Sequence, residues 1–309
     1  MKLTARLNRI LNEHLEGDLS GGWRSVWKVL AEEIDRVNCP DDDILQTIRS
    51  KRLPDDCTED QWLITKFILH SPLDPLNAIS DGICRRMWKD SPCELALRLS
   101  FSSRHHWMAS HLEGHFDELW RPILMAFAAH DTQGVFKLVS LWRGSAEKPN
   151  NCAYANICNC LQAIVLDNDD QLRDSIGKLI KGSRPGYISS VCQILRAIQS
   201  RDPDEFAAGL NRMLRSYRSY MFGDDIMGLL DPHAIGIFEL ARQYAPGVLS
   251  RFDVDRKLPW DAEYVRWLHS VDDIRDIYEP FDAPDWMQTT LFDMAGTEWA
   301  LNARDKWRR

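Results

Sequence analysis

Cys158-Asn159-Cys160-Leu161-Gln162-Ala163-Ile164-Val165-Leu166-Asp167-Asn168-Asp169-Asp170 is answered 34 residues later by Cys192-Gln193-Ile194-Leu195-Arg196-Ala197-Ile198-Gln199-Ser200-Arg201-Asp202-Pro203-Asp204. Leu161, Ala163 and Ile164 recur as Leu195, Ala197 and Ile198, and an acidic break follows each trio. The apolar pattern then resumes in step. Leu172, Ile176, Leu179 and Ile180 in one copy match Phe206, Leu210, Met213 and Leu214 in the other. A fainter copy lies upstream at a spacing of 37, with Leu124, Ala126 and Phe127 ahead of Asp131 and with Val135 and Val139 behind it. Each unit reads as helix, acidic turn, helix, and a period near 34 predicts helical hairpins of tetratricopeptide type. One hairpin cannot bury its apolar face alone, so the expected arrangement is a stacked array that leaves a long surface for a partner. Ala163 and Ala197 are the expected close-packing positions.

The same period-3.6 pattern extends outward from the repeat. Trp23, Val26, Trp27, Leu30 and Ile34 fall on one helical face. Thr58-Glu59-Asp60-Gln61 has the form of a capping box ahead of Trp62, Ile64, Phe67 and Ile68. Asp74-Pro75 and Ser91-Pro92 pair a cap with proline at the first helical position, and Pro232 opens a helix that Pro246 closes. Period-2 alternation between hairpin turns is missing, which argues against a sheet. The expected class is all-α, as one continuous helical body over 1–309. Irregular helices fill 1–115, hairpin repeats 116–218 and acidic helices 219–309, with a terminal helix from about 284 to 308 capping the array.

With 309 residues, 44% hydrophobic and 27% charged, the composition is that of a globular chain. The start Met1-Lys2-Leu3-Thr4-Ala5-Arg6 lacks the apolar stretch of a secretory signal. The longest apolar run, Ile123 to Ala129, falls far short of the ~20 residues that span a bilayer. The eight cysteines contain no CxxC pair, and Cys152, Cys158, Cys160 and Cys192 fall in expected helices beside Ala and Ile, where a thiol behaves as a small hydrophobe. A cytoplasmic protein without membrane contact is expected.

The net charge of −8 is unevenly spread. Between Asp224 and Trp299 there are 16 acidic against 6 basic residues, a balance of −10, so the rest of the chain carries +2. Within that sector Asp272, Asp273, Asp276, Glu279, Asp282 and Asp285 are interleaved with Tyr278, Phe281 and Trp286. A solvated acidic face is one reading. The sharper one is a docking surface for a basic protein, with charge speeding encounter and Trp286 as an anchor. Arg212, Arg215 and Arg218 form a single basic stripe, too short for a nucleic-acid face.

Catalytic signals are thin. His111-Leu112-Glu113-Gly114-His115 puts two imidazoles four residues apart, but Glu113 is misplaced for a zincin helix and Gly114 weakens the helix. No nucleophile elbow, Walker A or dinucleotide fingerprint occurs. Asp293 and Glu298 would act as a carboxylate pair only if a cleft formed around them. Catalytic, cofactor-binding and metal-ligating residues are therefore assigned to none.

The run Ile194-Leu195-Arg196-Ala197-Ile198 with Asp202-Pro203-Asp204-Glu205-Phe206 and Met213-Leu214-Arg215-Ser216-Tyr217-Arg218 resembles the core of the Immunity protein 49 family. Similar to it as well is Leu230-Asp231-Pro232-His233-Ala234-Ile235-Gly236-Ile237-Phe238-Glu239-Leu240-Ala241, followed by Leu258-Pro259-Trp260. The resemblance covers about residues 115 to 270 and leaves out the N-terminal third. It implies a non-enzymatic immunity protein of a bacterial polymorphic-toxin system, whose partner is a cognate toxin, and it transfers no functional residue to this chain. From the residues alone, a helical-repeat scaffold for an endogenous partner and an all-α enzyme stay open beside it.

Overall fold

The computed structural model describes residues 75–113, 119–141, 153–179, 186–220, 226–255 and 257–274. Among them every regular element is helical. The helices are α1 (Pro75–Lys89), α2 (Pro92–Glu113), α3 (Trp120–Ala128), α4 (Thr132–Leu141), α5 (Ala153–Val165), α6 (Asp169–Leu179), α7 (Gly186–Ser200), α8 (Pro203–Tyr220), α9 (Pro232–Tyr244) and α10 (Ala262–Leu268). Two 3-10 turns, Met227–Leu229 and Pro246–Arg251, flank α9. The all-α reading holds, and the prolines at 75, 92 and 232 stand where expected, at first helical positions. The expected helices before residue 75 and from about 284 to 308 lie outside the described residues.

Three helix ends among the described residues carry the same turn. Asp131, Asn168 and Asp202 donate their N–H to the carbonyls of Ala126, Ala163 and Ala197, at 3.0, 2.8 and 3.0 Å. The residue before each, His130, Asp167 or Arg201, is left-handed (φ 51, 53 and 56°) and donates to Phe127, Ile164 or Ile198. This is the Schellman ending of a helix. The same Asp or Asn then caps the next helix, its Oδ1 accepting from the N–H of Gly134, Gln171 or Glu205 at 2.9, 3.1 and 3.0 Å. A single residue thus satisfies a left-over carbonyl at the end of one helix and a left-over N–H at the start of the next.

Ala163 and Ala197 are 1% and 0% exposed, as close-packing positions must be. Replacing Ala197 by Leu adds volume where none is free and is expected to destabilise the chain by roughly 1–3 kcal/mol. A melting curve for Ala197→Leu that overlays the parent would contradict the tight packing of α7.

α1 and α2 pack as a hairpin, with Asp90 left-handed at φ 51° and the Leu95 N–H donating to the Ser91 carbonyl. The pattern escapes a sequence comparison because Arg86 occupies the place that Ala126, Ala163 and Ala197 hold in the other turns.

The segment after α8 folds back. α9 packs chiefly on α3, in parallel: His233 meets Trp120 with ring centroids 5.3 Å apart, and Tyr244 meets Phe127 at 6.3 Å. Gly236 lies at the crossing, where a Cβ would stand 1.9 Å from the Leu124 carbonyl oxygen. Among the described residues one hydrophobic core joins buried side chains from Ile79 to Ile274.

Candidate functional site

Three helices fix where the turns lie. Trp120 and Tyr154, at the starts of α3 and α5, stack at 6.4 Å, and α5 also contacts α7. Trp120 also meets His233, which lies 3.5 Å from the Tyr187 hydroxyl at the start of α7, so the three helices start near one another and the turns that follow them lie toward the other end. α10 ties α1 to that end, the turn edge, as well. Asp261 caps α10, accepting from Glu263 and Tyr264 N–H. It also pairs with Arg86 Nε at 2.8 Å, while Tyr264 OH donates to the Ala128 carbonyl at the end of α3. On this edge Asp167, Asp169, Asp170, Asp204 and Asp272 are exposed. The exposed apolar side chains Trp88 on α1, Phe136 on α4 and Leu166 just after α5 are each about half accessible.

Behind the edge lies a buried carboxylate. Glu239 on α9 has no exposed surface. One of its oxygens faces His130 Nε2 at 2.9 Å and accepts from Arg242 Nε at 2.6 Å, and the other faces His269 Nε2 at 3.0 Å. Burial pulls this carboxyl up, but the hydrogen bonds from His130 and Arg242 outweigh it and hold the group below the ordinary carboxylate range. His130 reaches further. Its Nδ1 lies 2.9 Å from the Val271 carbonyl, and its own carbonyl accepts from Ile274 N–H at 3.1 Å. Residues 269–274 are thereby strapped across the α3–α4 turn.

A second buried carboxylate occupies the opposite end of the bundle. Asp231, also without exposed surface, caps α9 through His233 and Ala234 N–H and accepts from Tyr187 OH at 3.0 Å. Tyr187 stacks on Tyr220 at 4.2 Å, and Arg121 lies over both Trp120 and Tyr220. Complete enclosure makes Asp231 a group that acts on the fold rather than on a solute.

Of the residues read as a partner surface, Asp272 is exposed and Asp273 half-buried, both directly after Val271 in the strap. Asp276, Glu279, Asp282, Asp285 and Trp286 lie outside the described residues, as do Cys152, His115, Asp293, Glu298 and the side chains of His111 and Glu113. Cys158 and Cys160 are buried in α5, and Cys192 is half-buried in α7. Burial pushes the Cys160 thiol far up, which keeps it in the protonated, unreactive form. Arg212, Arg215 and Arg218 are exposed on α8, with Arg218 Nε donating to the Gly228 carbonyl. Among the described residues no three His, Cys, Asp or Glu side chains converge as a metal site would require. Nor is any helix there long and apolar enough to cross a membrane. Sequence reasoning missed the Glu239 and Asp231 clusters because His130, His269 and Tyr187 stand 30 to 109 residues from the carboxylates they meet. Only Asp231-Pro232 carried a signal, as a helix cap. No family model matches the chain, and no match exists among curated proteins or solved structures.

Proposed function

We propose that this chain is a cytoplasmic binding protein, not an enzyme, whose partner is a basic protein, and that the partner is a cognate toxin whose active site it covers. The observation that carries the binding role is the shared turn edge. The exposed carboxylates of Asp167, Asp169, Asp170, Asp204 and Asp272 and the half-accessible side chains of Trp88, Phe136 and Leu166 would supply its two kinds of contact. Charge steers encounter and desolvated apolar side chains hold the complex, which is the division of labour in protein interfaces. Tetratricopeptide-like stacking of the three hairpins would make the edge rigid, so that little entropy is lost on docking. The toxin assignment rests on the resemblance of residues 115–270 to Immunity protein 49. The acidic run continuing through Asp276, Glu279, Asp282 and Asp285, with Trp286, would extend the same surface.

The test is co-expression with the product of the adjacent gene. That product is expected to arrest growth when made alone, to be harmless beside this chain, and to copurify with it. Arrest that persists in the presence of soluble chain would overturn the immunity role.

A further inference from the structure

We propose that residues 269–274 are a proton-dependent strap, latched to the bundle while the His130 imidazole carries hydrogen on both ring nitrogens and released when it loses one. The reason is geometric. Nδ1 faces the Val271 carbonyl oxygen and Nε2 faces a Glu239 carboxylate oxygen, each at 2.9 Å. Neither oxygen can donate, so both bonds need an N–H from the ring, and only the imidazolium has two. A neutral ring must point a lone pair at one of the two oxygens, in a site where His130 is 6% exposed.

The charged and titratable groups around His130 come from each element packed against it. From α9, Glu239 favours the cation and Arg242, with a terminal nitrogen 3.5 Å from Nε2, opposes it. Tyr244 shares with His130 the wall of a small pocket at the end of α3. From the α4 side Asp131 has its carboxylate engaged by Ser100 OH at 2.6 Å and by Gly134 N–H. From α10 and the strap come Tyr264, His269 on the far oxygen of Glu239, and Asp272 and Asp273 beyond Val271. The backbone at His130 is left-handed, a conformation for which glycine is the usual residue and a histidine costs energy. A side chain that bridges two elements there gives that cost a purpose. Because Asp272 and Asp273 ride on the strap, the latch would place part of the proposed docking edge under pH control. This extension rests on the docking proposal, whereas the latch itself does not.

The experiment follows amide hydrogen exchange of the full chain without any partner, as protection factors corrected for intrinsic rates, from about pH 5.5 to 9.5. Protection in 269–274 is expected to fall about tenfold to a hundredfold as pH rises, the worth of one hydrogen bond to a charged group, while α7 keeps its protection. In His130→Gln the strap is expected to be loose at every pH, and in His269→Gln the fall is expected to remain. Strap protection that stays flat with pH in the parent protein would overturn the latch, even if His130→Gln fails to fold. So would a pH step that survives in His130→Gln or disappears in His269→Gln. A latch that behaves as expected in a chain without any partner leaves the docking role to be judged by the co-expression test alone.

Discussion

Gly236→Ala is expected to unfold the protein at temperatures where the parent is intact, with a loss of about 3 kcal/mol or more. At the α3–α9 crossing an added Cβ would stand 1.9 Å from the Leu124 carbonyl oxygen and 2.6 Å from its carbon. Both are backbone atoms inside a helix whose residues 122–128 are all buried, so no side chain can swing aside. Overpacking commonly costs about 1–3 kcal/mol, and more where the obstacle is main chain. Gly177, with nothing within 4 Å of its would-be Cβ, is the matched control. Gly177→Ala removes a poor helix former from α6 and is expected to stabilise by up to about 1 kcal/mol. Denaturant midpoints that move in the same direction for both variants would contradict the close parallel packing of α9 on α3.

The second large effect is a pH dependence. Burial pushes the Asp231 carboxyl from 3.8 up to about 7, against the hydrogen bonds from Ala234 N–H, Tyr187 OH and His233 N–H, which favour the anion. The folded state holds this proton more tightly than the unfolded chain does. Its contribution to stability is therefore complete at acid pH and is lost as pH rises from about 4 through about 7, amounting to roughly 4 kcal/mol at 1.36 kcal/mol per pKa unit. Asn at 231 keeps a capping oxygen and cannot ionise. Asp231→Asn should therefore gain on the parent by several kcal/mol between about pH 4 and pH 8, on top of any constant offset. Glu239 has the opposite sign, since its depressed carboxyl adds stability above the unfolded range and loses it only in acid. A stability difference between parent and Asp231→Asn that is the same at both pH values would show that Asp231 is ionised in the folded protein.

What could be read from the sequence follows from where the physics is local. The Schellman turn and its cap involve ten consecutive residues, Ala126–Val135 or their equivalents. Each copy had to keep a small residue before the turn and an Asp or Asn after it, and a spacing of 34 made this visible. Asp90, His130, Asp167 and Arg201 carry the left-handed turn residue without a glycine, so the usual mark of a helix end was missing although the turns were not. The return of α9 onto α3 depends on Gly236 fitting over Leu124, a contact across 112 positions that no period encodes. The acidic sector was legible as charge. That Asp272 lies beside the α3–α4 turn emerged only when His130 was seen to meet the Val271 carbonyl and to accept from Ile274 N–H.

The central claim, that this edge steers a basic protein partner, is tested most directly by association kinetics with the purified product of the adjacent gene. The measurement is a stopped-flow titration of ionic strength from about 0.02 to 0.5 M, with the parent chain and with Asp272→Lys/Asp273→Lys. Exposed charges are screened beyond about 8–10 Å at physiological salt. Salt and charge reversal are thus each expected to lower the association rate at least tenfold while changing dissociation little. Association that is indifferent to both would contradict the claim.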